Sequence, residues 1–365
     1  MRKTTVLIVD DSQLIRDVLT AILSGDPRIE VVGTAVDPYD ARQKVKNLDP
    51  DVITLDVEMP KMNGVAFLKN LMRLRPTPVV MISTLTSEGS QITLQALEIG
   101  AIDFIEKPHD LGAAMDEYRE VIVAKVLAAS KVSKAKLELF QSRLSRTNES
   151  DKTEYRSVHK TVAPKVNPGS NKPASIFAAI GGSTGSLEAL KSLLEQIKFT
   201  GKEAMLVTLH LPGRFTASYA DRLNSVLPVT VTEAKPDEPI LEGHIYIAPG
   251  GKHLEVKKAG AGFRCHVTDE EPVNLHKPSV DVLFDSVAKL ASNSAIGVIL
   301  TGMGRDGAEG LKRMRQVGFQ TYAQDEATSV VWGMPGASYE IGAVDKANVR
   351  SLIKLGHMVD SYFND

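Results

Sequence analysis

The chain has 365 residues, of which 43% are hydrophobic and 24% charged, with a net charge of -2. That length suits two domains with full cores, and so balanced a charge gives no electrostatic case for a nucleic-acid partner. One cysteine, Cys265, excludes an internal disulfide and a cysteine metal cluster, while the absence of a signal-like or membrane-spanning apolar run makes a cytoplasmic protein without membrane insertion the expectation.

The first four apolar runs share one design. Residues 5–9 form a short strand that ends in Asp10 and Asp11, and residues 51–55 form one that ends in Asp56. The run 78–82 ends in Ser83, and 101–106, which contains Phe104, ends in Lys107 before a proline. Helical patterns such as 13–23 and 64–74 lie between them. Strands alternating with helices predict a parallel sheet, whose functional groups gather at the strand carboxyl ends. Three carboxylates in one cleft repel each other unless a cation joins them, and oxygen ligands with room for water suit Mg²⁺. A metal-neutralised carboxylate beside a lysine and a hydroxyl is equipped to accept a phosphoryl group. A single aspartate at a strand end commonly just caps the next helix; the full set with Lys107 fits that reading poorly.

On these residues, positions 1–125 resemble a response-regulator receiver domain of flavodoxin-like, doubly wound fold. The resemblance implies that Asp10 and Asp11 are the acidic pair and Asp56 the phospho-acceptor. Ser83 and Phe104 map to the switch positions, and Lys107 to the conserved-type lysine beside the acceptor. Met59-Pro60 and Asn63-Gly64 also match.

Residues 126–172 turn polar, with prolines near their end, and read as a solvated tether. Beyond it, residues 173–365 return to strand and helix. The run 176–180 is an apolar strand followed by Gly181-Gly182-Ser183-Thr184-Gly185, a G-x-S-x-G pattern, and then by leucines at helical spacing. Strand, tight glycine turn, serine and helix is the layout of a nucleophile elbow, with Ser183 near a helix N-terminus. Taken alone, the pattern also fits a glycine-rich turn with Ser183 as an N-cap. Residues 204–209 form a strand ending in His210. Leu254–256 and 263–267 suggest a hairpin that contains Cys265, and 280–291 a helix with Val282, Leu283, Phe284, Val287 and Leu290 inward. The strand 295–300 leads into Thr301-Gly302-Met303-Gly304-Arg305-Asp306-Gly307.

Ser183, His210 and Asp306 therefore each follow a strand, and a parallel sheet brings such ends to one edge. A serine needs a base, a histidine accepts a proton near neutrality, and a carboxylate fixes the histidine tautomer. The chain order Ser, His, Asp is not that of a lipase-type hydrolase. Two other readings compete. Gly302, Gly304 and Gly307, with Asp325 and Glu326 downstream, mimic a dinucleotide fingerprint, but that reading leaves Ser183 and His210 without a role. His244, His253, His266 and His276 lack metal-ligand spacing and read as surface or strand residues.

Residues 173–365 resemble the catalytic domain of the chemotaxis protein-glutamate methylesterases. The matching segments are 180–185, Leu209-His-Leu-Pro212, Ala248-Pro-Gly-Gly251, His276-Lys-Pro-Ser-Val-Asp281, 300–308, 323–329 and 333–336. The resemblance implies a nucleophile at Ser183, a base at His210, an orienting acid at Asp306, and supporting positions at Thr184 and at Met303, whose N–H serves the oxyanion. It departs at Ser186, where a second glycine is commoner, and in a long tether. By resemblance, the expected activity is demethylation of glutamate esters, and deamidation of glutamines, on methyl-accepting chemoreceptors. A chemotaxis histidine kinase would be the phosphodonor, Mg²⁺ would serve the receiver, and no cofactor would serve hydrolysis. The receiver would cover the catalytic residues until it is phosphorylated. A receiver joined to a domain that only binds a partner is the main alternative; a DNA-binding output lacks a basic recognition helix.

Overall fold

The central strands of both sheets are short, bounded by turn residues and buried on both sides, which is the condition for a parallel strand. A computed structural model describes residues 2–59, 63–83, 87–107, 115–132, 137–138, 165, 171–260, 262–290 and 295–364. Pro60, Pro108 and most of the expected tether lie outside those residues. The chain divides into two units, Met1–Arg156 and Ser157–Asp365.

In the first unit, strands β1 (Thr4–Val9), β2 (Ile29–Ala35), β3 (Val52–Asp56), β4 (Val79–Ser83) and β5 (Asp103–Glu106) form one sheet. Its order is β2-β1-β3-β4-β5 and every pairing is parallel. Helices α1 (Gln13–Ser24), α2 (Pro38–Leu48), α3 (Gly64–Leu74), α4 (Ser87–Ile99) and α5 (Met115–Ala129) make the crossovers. The order reverses between β1 and β3, so α1 packs beside α5 while α3 packs beside α4. Local chemistry sets the helix starts. Asp37 accepts from the Tyr39 and Asp40 amides, and Asn63 accepts from the Ala66 amide at 2.8 Å.

The second unit has a seven-stranded sheet. Its strands are β6 (Phe177–Gly182), β7 (Ala204–Leu209), β8 (Thr230–Glu233), β9 (His244–Ile247), β12 (Ala295–Ile299), β13 (Gln320–Gln324) and β14 (Val349–Arg350), in the order β14-β13-β12-β6-β7-β9-β8. All pairings in it are parallel. The antiparallel hairpin of β10 (His253–Ala259) and β11 (Gly262–Thr268) stands apart from the sheet and carries Cys265, which is buried. Helices α6 (Ser186–Leu194), α7 (Gly213–Val226), α8 (Val280–Ala288), α9 (Ala308–Gln316), α10 (Met334–Glu340) and α11 (Leu352–Asn364) complete the unit. Helix α6 packs against α11, and α8 against α9. Within α8, Leu283, Phe284 and Val287 are buried as the sequence predicts, whereas Val282 is only half-buried. The chain leaves β6 toward β7 and returns on the other side at β12. That switch point is where an open α/β sheet forms its crevice.

Candidate active site

The first unit gathers its polar strand ends as expected. Lys107 Nζ lies 3.0 Å from Asp10 Oδ2 and 2.9 Å from Asp56 Oδ1. Asp10, Asp56 and Ser83 are buried, and Asp11 is exposed. One ligand oxygen from each of Asp10, Asp11 and Asp56 lies within 4.8 Å of the other two. Burial pushes the Asp56 carboxyl up to about 6, Asp10 adds to that, and Lys107 opposes it. Asp56 Oδ2 is buried without a hydrogen-bond partner among the described residues. A buried, unsatisfied carboxylate oxygen beside two more carboxylates is a position that a hard divalent cation relieves. The acidic cluster of the first unit therefore fits a Mg²⁺ site. The Lys107 amide donates to the Ser83 carbonyl at 2.8 Å, which ties the ends of β4 and β5 together. Phe104 is buried, and Lys125 Nζ lies 5.2 Å from its ring centroid.

In the second unit, Ser183 follows β6, His210 follows β7, and Met303 and Asp306 follow β12. These three strands are neighbours in the sheet. The backbone stitches their ends together: the Ser183 amide donates to Thr301 O at 3.0 Å, and the His210 amide donates to Gly182 O at 3.3 Å. Thr301 Oγ1 donates to Thr184 O at 3.0 Å. Helix α6 begins at Ser186 with Gly185 as its cap, so Ser183 precedes the helix by a full turn and does not cap it. Gly185 has φ +78, and a Cβ there would meet Val330 at 2.6 Å. Only glycine fits that bend without strain. A Cβ on Gly302 would lie 3.0 Å from both Ser183 Cβ and Ser183 N. Of the glycines of the dinucleotide-like motif, Gly302 lies against Ser183 and Gly307 caps α9.

His210 Nε2 lies 2.8 Å from Asp306 Oδ2. Asp306 is 2% exposed, yet it is well supplied with donors. Its Oδ2 also accepts the Val280 amide at 2.7 Å. Its Oδ1 accepts Ser279 Oγ at 2.7 Å, Asn274 Nδ2 at 2.8 Å and the Asp281 amide at 3.3 Å. Burial alone would raise this carboxyl, but the bonds from His210, Asn274 and Ser279 outweigh it and hold Asp306 below the ordinary carboxylate range. With Nε2 committed to Asp306, His210 Nδ1 is buried and has no hydrogen-bond partner among the described residues. The Met303 amide makes no hydrogen bond among the described residues.

His276, read from the sequence as a surface or strand residue, is half-buried in a β-bridge with Val273, and its ring also stacks on His210 with centroids 3.6 Å apart and planes 16° apart. It lies on the same loop as Asn274 and Ser279. That loop has no periodicity to betray it, and its only sequence signal was the segment that matched the methylesterases.

A model described as CheB methylesterase matches residues 178–358, and one described as response regulator receiver domain matches residues 6–119. A protein-glutamate methylesterase/protein-glutamine glutaminase of Hydrogenovibrio crunogenus is 50% identical over 359 residues, covering 94% of this chain and 95% of its own. The chain belongs to the CheB methylesterase family. A second CheB-family relative, from Xanthomonas campestris pv. campestris and described in the same words as number 1, is 52% identical over 353 residues, covering 93% of this chain and 92% of its own. Among solved structures, the Thermotoga maritima CheB methylesterase catalytic domain is 32% identical, covering 52% of this chain and 98% of its own, with a TM-score of 0.49. No helix among the described residues is long and apolar enough to cross a membrane.

Proposed function

We propose that this CheB-family chain hydrolyses γ-glutamyl methyl esters, and glutamine side-chain amides, on chemoreceptor signalling helices during chemotaxis adaptation, with Ser183 as the nucleophile. It is a protein-glutamate methylesterase and protein-glutamine glutaminase that carries a receiver domain. The observation that carries the site assignment is the His210–Asp306 pair. A buried carboxylate accepts from Nε2, so the proton sits there and Nδ1 keeps its lone pair.

The reaction then runs in two halves. Ser183 Oγ attacks the ester carbonyl and gives its proton to His210 Nδ1. The imidazolium is stabilised by Asp306, and the tetrahedral oxyanion by the Met303 N–H with support from Thr184. His210 returns the proton to the leaving methoxide, or to the leaving amide nitrogen, so methanol or ammonia departs and an acyl-serine remains. Water, deprotonated by His210, attacks the acyl-serine; the acyl–Oγ bond breaks, the glutamate is freed, and His210 returns the proton to Ser183 Oγ.

The proposed organisation is a receiver at 1–125, a tether at 126–172 and a catalytic domain at 173–365. Asp56 takes a phosphoryl group from a chemotaxis histidine kinase. Asp10, Asp11 and Asp56 would hold Mg²⁺, which when bound would offset charge on the transferring oxygens. Ser83, Phe104 and Lys107 read the phosphorylated state, which releases a restraint on the catalytic domain.

Methylated chemoreceptor membranes test this reading. The full-length protein is expected to release methanol, and a small phosphodonor to raise the rate. A fragment starting near Pro173 is expected to be faster than the unphosphorylated whole and indifferent to the phosphodonor. A fragment slower than the whole would make the receiver a contributor to turnover and not a restraint.

Asp56→Asn is expected to abolish phosphoryl incorporation and the response to phosphodonor while keeping basal methanol release. Labelled phosphodonor followed by gel autoradiography reads the first, and incorporation that survives the substitution would move the acceptor to another residue.

A further inference from the structure

The loop that supplies Asn274 and His276 contains a residue that the fold does not use. Val273 and His276 exchange both backbone hydrogen bonds, at 3.1 and 3.0 Å, and close a two-residue turn. Both central residues are left-handed, Asn274 at φ 54 and Leu275 at φ 66. Turns of that hand favour Asn followed by Gly, because a Cβ there crowds the backbone. Asn274 has a compensating role, since its amide donates to Asp306 Oδ1 at 2.8 Å and to Asp281 Oδ2 at 2.7 Å. Leu275 has none among the described residues. Its side chain is 79% exposed, and Val273 beside it is 38% exposed. A bulky apolar residue in a strained conformation, pointing into solvent, is disfavoured by folding on both counts.

Its position gives it a use. One neighbour in sequence bonds the acid of the triad, and the other stacks on its histidine. Resting on the methylesterase reading, we propose that Leu275 is a docking residue for the protein substrate, packing on apolar side chains of the helix that presents the reactive glutamyl ester. A side chain on a helix reaches a catalytic serine with its neighbours one turn away in tow, at i±3 and i±4. Those neighbours, and not the ester itself, fall on the rim of the site. The left-handed turn holds Leu275 out as a fixed knob, so little is lost in ordering it on contact. A small free ester has no such neighbours and does not touch it.

The test compares two substrates in phosphodonor-treated full-length protein: methylated chemoreceptor membranes and a small soluble ester such as p-nitrophenyl acetate. Leu275→Ser is expected to raise KM for the receptor on the order of tenfold, the loss of a large part of one buried leucine, with kcat held. Small-ester hydrolysis is expected to be unchanged, and Leu275→Met to restore receptor KM. Leu275→Gly, which relieves the backbone, is expected to keep the fold and show the same receptor defect. Equal losses on both substrates would overturn the proposal by placing the effect on the triad. An unchanged receptor KM would overturn it outright. A rise in the unphosphorylated rate with unchanged receptor KM would make the receiver, not the substrate, the occupant. If the unsubstituted protein hydrolyses the small ester but releases no methanol from receptors, the methylesterase reading itself fails, and the docking proposal falls with it.

Discussion

Ser183→Ala is expected to reduce methanol release from methylated chemoreceptor membranes by on the order of 10⁵- to 10⁶-fold, the loss typical when a serine hydrolase loses its nucleophile. His210→Ala should cost about as much, because serine and base act as one unit. The double variant should cost little more than either alone. The substituted serine is well placed for a clean result. Alanine keeps the Ser183 Cβ that sits close to Gly302 and keeps the backbone bond to Thr301. The elbow therefore retains its shape, and circular dichroism and melting of the variant should match the parent. Near-parental methanol release from Ser183→Ala would remove the acyl-serine from the mechanism.

Asp306→Asn should be nearly as damaging, roughly 10⁴-fold in turnover. The cause is the tautomer. An amide nitrogen facing Nε2 would donate to it, which moves the ring proton to Nδ1 and leaves no lone pair to take the Ser183 proton. The same substitution should be felt in stability, with a sign set by the depressed carboxyl of Asp306. A folded-state pKa below the unfolded one stabilises above the ordinary aspartate value of about 4, and that contribution is lost only as the pH falls into strong acid. Melting temperatures of parent and Asp306→Asn should therefore differ most near neutrality and converge in strong acid. Methanol release from Asp306→Asn within tenfold of the parent would mean that His210 is oriented by something other than Asp306.

The residues legible in the sequence were those that end an apolar run. Asp10, Asp56, Ser83, Lys107, Ser183 and His210 each follow a strand whose hydrophobic pattern is plain, and a parallel sheet does the rest. The groups that hydrogen-bond to Asp306 were not legible from any local pattern. Ser279 and the Val280 and Asp281 amides reach it from a loop and a helix start, where no period marks which side chain turns inward. Nor was the strand order of the second sheet readable, because pairing β12 with β6 is decided by packing across the whole unit and leaves no local trace. The glycines illustrate the same limit. Gly302, Gly304 and Gly307 advertise a tight loop after a strand, but not whether that loop faces a nucleotide or a serine.

The pairing of β12 with β6 has a consequence for how the enzyme comes into being. Ser183 is synthesised long before Asp306, and the strand that leads to the proposed acid must come back across the sheet to dock beside the one that leads to the proposed nucleophile. Such distant pairings form late, since the loop between them must close before any bond rewards it. A nascent or partly folded chain thus holds a serine, and later a histidine, with no acid to set them to work. The proposed triad is therefore complete only once β12 has docked beside β6, and ester hydrolysis is expected to appear no earlier than that pairing.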